Sequence, residues 1–266
     1  MTLLTSHPKQ KRWRKGNLGR KAMKIHRATI TSHDFFFYVS REIRVGVPTG
    51  VIHNTALMYA INTALAQTQR NASGTKPHYS EDYRIFSTYA TPAELIESDI
   101  AVLNGGKMKF AHSTAPQRIS YNSVDSTYLI SMETSIFHPR KAKLAHPKLG
   151  SYMKYPPLTS YQFLTIGNQG TRVIRLGKKS SPIALLYQRL EDIELKSGVF
   201  RPDHAVAISD LPEESKLLEG KIVVLPNGLV ATGTKIQGKY YEGKLDGETL
   251  KVAAPRQDLF ANVQFS

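Results

Sequence analysis

The residues from Lys24 to Ser40 read KIHRATITSHDFFFYVS, and they are the first structured element that the sequence predicts. β-branched and aromatic side chains dominate it, and its second half contains the uninterrupted apolar run Phe35–Val39. Such side chains favour an extended backbone, and an apolar run without polar interruption is typical of a strand covered on both faces. We therefore predict one long or broken strand here, with half of it inside the core.

A helix and a second strand follow this stretch. Asn54 is a candidate N-cap, and the apolar residues after it recur at helical spacing, which predicts a helix over residues 55–69. The β-branched and aromatic residues between Arg84 and Ala90 predict a strand that Pro92 ends. The order of strand, helix and strand is that of one half of a ferredoxin-like βαββαβ unit.

After residue 106 the hydrophobic periodicity of the sequence is first irregular and then, from Tyr161 onwards, regular again. Residues 107–157 combine basic, aromatic and proline residues without a helical period, which predicts a projecting β-hairpin, or thumb, inserted into the fold. Alternating apolar residues then predict three further core strands: Tyr161–Ile166, Thr171–Leu176 and Ile183–Leu190. Five shorter runs predict a small antiparallel β-module: Ala205–Ile208, Lys221–Leu225, Leu229–Thr232, Lys239–Lys244 and Thr249–Val252. The turn pairs Asn227-Gly228 and Asp246-Gly247 are typical of its hairpins.

The expected fold class is α+β, with a modified RRM or ferredoxin-like core, an inserted β-hairpin thumb and a C-terminal antiparallel β-module. We place a flexible basic arm at residues 1–22, the core at 23–190 with the thumb at about 106–158, and the β-module at 191–266. The arm lacks the apolar core of a secretory signal. It either strengthens binding to a polyanion or is a functionless extension from an upstream start codon.

Positive charge is concentrated in two parts of the chain. Between Ala101 and Leu190 there are thirteen lysines and arginines against two acids, Asp125 and Glu133, which gives a formal charge of +11 out of +15 for the 266 residues. Residues 1–24 add +8 without any acid, and the rest of the chain is slightly negative. Like charges at this density repel each other unless a polyanion neutralises them. Nucleic acid is therefore the expected ligand.

Composition also excludes several classes of protein and site. The chain contains no cysteine, which excludes disulfides, thiolate zinc sites and cysteine nucleophiles and fits a reducing compartment. It has no run of about 18 apolar residues, so we expect no membrane span. The basic segment lacks the carboxylates that hold a catalytic metal pair. We expect a cytoplasmic protein without a metal or another cofactor.

The insert interleaves cations with aromatic rings, a pattern typical of proteins on which single-stranded RNA stacks its bases. A short basic loop follows the insert in the sequence, Gly177-Lys178-Lys179-Ser180-Ser181. It lacks the second glycine of a P-loop, but its amides and hydroxyls could bind RNA phosphates. Each feature also has an alternative without RNA. The loop is then a solvated basic turn, and the rings of Tyr121, Tyr152 and Tyr155 pack the base of the hairpin. The predicted RNA-binding residues are Lys107, Lys109, His112, Arg118, Tyr121, Arg140, Lys141, Lys143, His146, Tyr152, Lys154, Arg172, Arg175, Lys178, Lys179 and Ser180.

Histidines in the insert raise an enzymatic alternative. A metal-independent endoribonuclease uses histidine as general acid and base, and His112, His138 and His146 are the candidates for these roles. None of them has an Asp or Glu partner at ligand spacing, which argues against a metal site. We favour a binding protein without catalytic residues.

Several pieces of the sequence, in order, resemble one family. His33–Glu42 (HDFFFYVSRE) is similar to the opening strand of the subunit that caps the guide-RNA 5′ handle in type I-D CRISPR effector complexes, a member of the RAMP superfamily. The similarity continues through HNTALMYA from His53, TYATPA from Thr88, VIRLGKK from Val173 and HAVAISDLP from His204. It covers residues 24–245.

The resemblance implies a modified RRM fold with a thumb, in a prokaryotic complex. It implies that the chain binds the 5′ handle between the backbone subunits and the large subunit that reads the PAM, with target DNA nearby. The glycine-rich loop of the superfamily is reduced here to Gly177. Related subunits of another subtype cleave the guide precursor, but in type I-D a separate subunit resembles the processing enzyme, which favours a non-catalytic role. A basic RNA-binding protein without a CRISPR connection remains the third interpretation.

Overall fold

The computed structural model describes residues 23–42, 46–65, 78–96, 101–104, 107–110, 116–123, 148–177 and 181–265. The strands of the first half are β1 (Ile25–Ser32), β2 (Val39–Glu42), β3 (Gly46–Pro48), β4 (Val51–Ile52), β5 (Thr88–Ala90), β6 (Ala93–Ile96), β7 (Ala101–Asn104), β8 (Lys107–Phe110) and β9 (Gln117–Ser123). Those of the second half are β10 (Lys148–Lys154), β11 (Ser160–Gly167), β12 (Val173–Leu176), β13 (Ser181–Arg189), β14 (Glu191–Phe200), β15 (Val206–Ala207), β16 (Lys216–Leu225), β17 (Gly228–Leu245) and β18 (Glu248–Ala253). Two helices, α1 (Asn54–Ala64) and α2 (Tyr79–Ile85), lie between β4 and β5.

The core sheet has the strand order of a ferredoxin-like fold. Its order is β12-β13-β1-β11-β6-β4, β5 also pairs with β11, and every pairing is antiparallel. The four strands of the motif correspond to β1, to β5 and β6 taken together, to β11 and to β13. In this numbering their spatial order is four, one, three, two, which is the order of a ferredoxin-like sheet. The second helix of that motif is replaced, within the described residues 168–177, by β12. The predicted modified RRM core is therefore confirmed.

Helix α1 covers one face of this sheet. Leu57, Met58 and Ile61 are fully buried and join Ala28 and Ile30 of β1 in one hydrophobic cluster. Alternate residues of β1 thus face the helix, as the period of a strand requires.

The N-cap of α1 differs from the prediction. His53, not Asn54, is the cap, because its Nδ1 accepts the backbone N–H of Thr55 at 3.2 Å. The Asn54 side chain instead donates to the Asp210 carboxylate of the C-terminal part. The helix ends at Ala64, and residues 66–69 of the predicted helix lie outside the described residues.

The predicted strand over Arg84–Ala90 is wrong in its first half. Tyr79–Ile85 form α2, and the strand begins only at Thr88. Acidic residues occupy the first turn of this helix, where they complement its dipole, and Asp82 Oδ2 accepts the His78 backbone N–H at 3.2 Å. Pro92 interrupts the strand for only two residues, since β6 begins at Ala93, and the Thr91 N–H still donates to the Leu164 carbonyl at 2.9 Å.

The predicted thumb contains an antiparallel hairpin. β9 pairs with β10 in a register that sets Arg118 opposite Met153 and Lys154 opposite Gln117. This pair forms a separate two-stranded sheet outside the core sheet. The described strands of the insert are therefore antiparallel partners, as a β-hairpin requires, and residues 124–147 between them lie outside the described residues.

The C-terminal part is a five-stranded antiparallel sheet built around one long strand. β17 pairs with β14 and β15 along one edge and with β16 and β18 along the other. It runs through both predicted runs, Leu229–Thr232 and Lys239–Lys244, without a break. Asp246 and Gly247 form the predicted turn with φ of +51° and +85°, whereas the loop positions of the other hairpin are Pro226 and Asn227.

This sheet packs into the same hydrophobic cluster as the core. Tyr241, Val252 and Phe260 belong to it, and the Phe260 ring lies 4.9 Å from that of Tyr89 between centroids. At the first residues of β1, Arg27 forms ion pairs with Asp246 at 3.6 Å and with a glutamate of β18. No helix in the described part of the chain is long and apolar enough to cross a membrane.

Candidate RNA-binding surface

The segment after β1 holds the base of the thumb. Phe36 and Tyr155 form an isolated antiparallel bridge in which each backbone N–H donates to the other carbonyl at 2.9 Å. The Phe36 ring is fully buried, stacks on Tyr38 with 6.4 Å between centroids and meets Tyr161 edge-on at 5.9 Å. Because Tyr155 directly follows β10, this bridge ties the second thumb strand to the hydrophobic core.

The chain leaving β12 approaches the same segment. Gly177 has φ of +79°, and a Cβ there would stand 2.8 Å from the Phe37 carbonyl oxygen and 3.0 Å from Cε2 of Phe36. Both the left-handed backbone and the close approach require glycine. The thumb base and the end of β12 therefore meet at one end of the core sheet.

The predicted site residues divide into three groups. Eight lie outside the described residues: His112, Arg140, Lys141, Lys143, His146, Lys178, Lys179 and Ser180. Four are placed on strands: Lys107 and Lys109 on β8, Tyr121 on β9 and Tyr152 on β10. The remaining four are Arg118 on β9, Lys154 on β10, and Arg172 and Arg175 at β12; the three arginines are exposed and Lys154 is half-buried.

Two of these arginines lie at β12, Arg172 directly before it and Arg175 within it. Arg175 lies opposite Pro182 in the hairpin, and Leu176 pairs with Ser181. Lys178, Lys179 and Ser180 connect these two strands beyond Gly177. The Arg172 carbonyl accepts the backbone N–H of Leu185 at 2.8 Å, which fixes the start of β12 while the side chain stays exposed.

The open face of the core sheet carries no described aromatic ring. Thr29 and Thr31 of β1 share this face with Gln162 and the 64% exposed Leu186, their register partners. Thr31 Oγ1 and Ser160 Oγ lie 2.9 Å apart on it. RRM domains stack bases on aromatic residues of this face. Arg175 of the edge strand β12 lies on this face, since its partner Pro182 is two residues before Ala184, the register partner of Thr31, whereas the Gly177 turn lies at the end of β12.

A sequence profile described as "Type I-D CRISPR-associated protein Cas5/Csc1" matches residues 23–261. The chain belongs to this family. It is therefore a subunit of a CRISPR effector, and the resemblance drawn from its sequence is confirmed. The basic arm at residues 1–22 lies outside the matched range.

Two solved structures are similar to this member of the Cas5/Csc1 family. A CRISPR protein from Archaeoglobus fulgidus has 9% identity and a TM-score of 0.37, over 86% of this chain and all of that chain. A chain of the type III-B Cmr-beta complex bound to cognate target RNA and AMPPnP has 11% identity and a TM-score of 0.41, over 85% of this chain and 86% of that chain. No curated protein sequence matches.

Three of the described histidines, His26, His53 and His204, are buried structural residues. Burial lowers the pKa of His26, His53 and His204 to about 4. His204 Nδ1 donates to the Ala205 carbonyl, since its Nε2 accepts the Ala253 N–H at 3.1 Å. The described residues contain no group of three side chains suited to a metal ion. Candidate catalytic residues His112, His138 and His146 lie outside the described residues.

Two features of the site were missed by sequence reasoning. The run Phe35–Val39 predicted a strand but not a bridge that holds the thumb. Tyr155 is 4% exposed and meets Tyr161 edge-on at 5.9 Å, so this ring packs the hairpin base. A cleft of about 460 Å³ between α1 and β12 was also missed, because it depends on how these two elements pack against each other.

Proposed function

We propose that this Cas5/Csc1-family chain is a non-catalytic RNA-binding subunit that caps the 5′ handle of the guide RNA. The observation that carries the proposal is the junction at Phe36 and Phe37, which brings the thumb base and the Gly177 turn to one end of the sheet. Both belong to the segment from Ala101 to Leu190, which carries thirteen lysines and arginines against two acids. A single strand laid across this end would meet cations from both.

The type of contact follows from the side chains. Arginine donates in a planar fork that fits a phosphate, and Arg172 and Arg175 are exposed beside the turn. Backbone and phosphate contacts suit a guide complex, in which base pairing reads the target and protein holds the RNA shape. The same role needs no general acid or base.

The C-terminal sheet supports the second part of the proposal, a bridge from backbone subunits to the large PAM-reading subunit near the target DNA. Its segment is slightly negative, unlike the RNA-binding half. Ile222, Val224 and Leu229 are 52%, 74% and 42% exposed on the β16–β17 hairpin, and the last two are register partners. Clustered exposed aliphatic side chains are typical of protein contact surfaces.

The salt dependence of RNA binding tests whether the loop after β12 contacts phosphates of the handle. Replacing Arg175, Lys178 and Lys179 with alanine should lower the slope of log K against log salt by about 2 for a handle oligonucleotide, at about 0.7 per phosphate contact on a single strand. The matched control replaces three cations of the C-terminal part, Arg201, Lys216 and Lys221, and should leave the slope unchanged. An unchanged slope in the first variant would argue against this loop.

Two results would contradict the proposal as a whole. Specific cleavage of repeat RNA by the purified protein without metal, lost in His138→Ala or His146→Ala, would identify a ribonuclease. Failure of the chain to copurify with a guide RNA and other CRISPR subunits would favour a general RNA-binding protein.

A further inference from the structure

The strand β14 forms an open edge of the C-terminal sheet. Within the described part of the chain it pairs only with β17. It is ten residues long, and every residue before Phe200 is exposed or half-buried. An exposed edge of this length presents backbone N–H and C=O groups to which another strand can bond, unless the protein covers or blocks it.

The turn between β17 and β18 determines which residues of β17 bond to β18. It has two residues, so the flanking positions Leu245 and Glu248 form a hydrogen-bonded pair. Every second residue back along β17 therefore bonds to β18, and the Ala254 N–H, which donates to the Lys239 carbonyl at 3.1 Å, continues this alternation. The residues in between, such as Tyr240, direct their N–H and C=O groups to β14 instead.

The same alternation applies to β14. Lys196 is the register partner of Tyr240, so its backbone groups bond to β17. The N–H and C=O groups of Leu195, Ser197 and Val199 therefore point away from β17. All three residues are exposed, and none of these backbone groups has a hydrogen-bond partner among the described residues.

The edge at β18 is covered by the chain itself, whereas that of β14 is not. At Lys251 of β18, the N–H donates to Asp203 Oδ2 at 2.7 Å and the carbonyl accepts the Asp203 N–H at 3.0 Å. On β14, a lysine could block an incoming strand, but Lys196 forms ion pairs with Glu242 and with Glu194 at 3.4 Å. Its charge is thereby neutralised, and the outer side of β14 stays open to another strand.

Side chains and charge indicate what kind of strand would bind. Leu195 and Val199 are 58% and 54% exposed on the same face of β14. Over residues 191–196 and 240–244 of the two paired strands, four acids face two cations: Glu191, Asp192, Glu194 and Glu242 against Lys196 and Lys244. A matching segment has apolar residues at alternate positions and a lysine or arginine near the acidic end. RNA has no strand backbone to bond to this edge, and the acids repel it.

We propose that β14 binds an extended segment of a neighbouring CRISPR subunit, which adds to the sheet as a further strand. The segment bonds to the outward backbone groups, packs apolar side chains on Leu195 and Val199 and brings a cation to the acidic end. The inference rests on the proposed function, which it deepens. A bridge between subunits needs two protein contacts, and β14 lies on the opposite side of β17 from the β16–β17 hairpin to which we assign the other.

Hydrogen–deuterium exchange tests the added strand through its alternation. The comparison is between the free full-length chain and the complex assembled with guide RNA and the other subunits of its effector, read by residue-resolved mass spectrometry. In the free chain, the N–H groups of Leu195, Ser197 and Val199 should exchange fast and that of Lys196 slowly. In the complex, the three outward N–H groups should exchange at least about 10-fold more slowly, because they are then hydrogen-bonded.

A proline variant tests whether this edge holds the partner. Ser197→Pro removes one outward N–H and leaves the bonds to β17 intact, and proline is tolerated at such edge positions. It should weaken association with the other subunits about 10-fold, through the lost hydrogen bond and the bulk of the ring. Thr249→Pro makes the matched change at an outward position of β18 and should assemble as the wild type does. Both variants should bind handle RNA normally.

A second variant covers the case in which Ser197→Pro unfolds. Leu195→Lys changes an exposed side chain and places an unpaired charge where the partner packs an apolar one. It should also weaken association with the other subunits and leave binding of handle RNA unchanged.

The outcomes distinguish this inference from the function on which it rests. If the wild type does not assemble with guide RNA and other CRISPR subunits, the proposed function is wrong and the added strand with it. If the wild type assembles, but the outward N–H groups exchange as in the free chain or the β14 variants assemble normally, the function stands and the added strand is wrong. Protection by guide RNA alone, by a second copy of the chain without other subunits, or only when residues 1–22 are present would identify another occupant and also overturn the inference.

Discussion

Gly177 shows how one residue connects the two halves of the candidate site. Its φ of +79° is a backbone conformation that most side chains avoid, and its α-carbon faces the carbonyl oxygen of Phe37. In the sequence it looked like the remnant of a glycine-rich loop. The structure gives it a second role, because any side chain here would push the end of β12 away from Phe36.

Gly177→Ala should therefore destabilise the protein by two separable effects. We expect about 1–2 kcal/mol from the left-handed backbone and about 1–3 kcal/mol more from the crowded contact, measured as the free energy of unfolding in urea. Gly247→Ala is the control, because Gly247 has φ of +85° and a Cβ added there would meet no atom within 4 Å. Equal losses in the two variants would show that the approach to Phe37 does not constrain this turn.

At the scale of elements, prediction succeeded where burial is one-sided. β11 and β13 alternate with a clear period, and their bounds agree with the prediction to within two residues. The strand predicted over Lys24–Ser40 is broken after Ser32, where β1 ends, and α1 begins one residue before its predicted start. α2 was missed because seven residues are too few to show a helical period. β14 was missed because its residues, apart from Phe200, are not buried, which removes the hydrophobic alternation. The cleft was beyond prediction, since it depends on how α1 and β12 pack.

The bridge between Phe36 and Tyr155 leads to a prediction about the thumb. Phe36→Ala should lower the free energy of unfolding by about 3–5 kcal/mol, the usual cost of removing a buried phenylalanine ring. Since the ring also packs beside the hairpin base, the variant should be cut faster by protease between β9 and β10. Phe35→Ala, at the neighbouring half-buried position, should cost less and leave the cutting rate unchanged. Equal protease sensitivity in both variants would contradict a role for the bridge.

On the scale of the whole molecule, charge and architecture divide the chain in the same way. The basic segment supplies the thumb strands and the β12–β13 hairpin, whereas the slightly negative C-terminal segment forms its own sheet on the shared core. Ion pairs such as Arg201 with Glu219 at 2.7 Å and Lys244 with Asp192 at 3.2 Å neutralise cations of that sheet locally. The net positive charge is thereby concentrated in the half of the chain to which we assign RNA binding.

The cations of residues 1–22 provide a test of whether this division extends beyond residues 23–261, the range that the family profile matches. Residues 1–22 contain seven lysines and arginines and precede β1, so removing them should leave the free energy of unfolding unchanged. If the arm contacts RNA, its removal should reduce the salt slope of handle binding by at most about 5, at about 0.7 per cation. A full-length variant with these seven residues replaced by glutamine should behave like the truncated chain, because charge and not length drives the effect. A slope unchanged in both variants would identify the arm as a functionless extension.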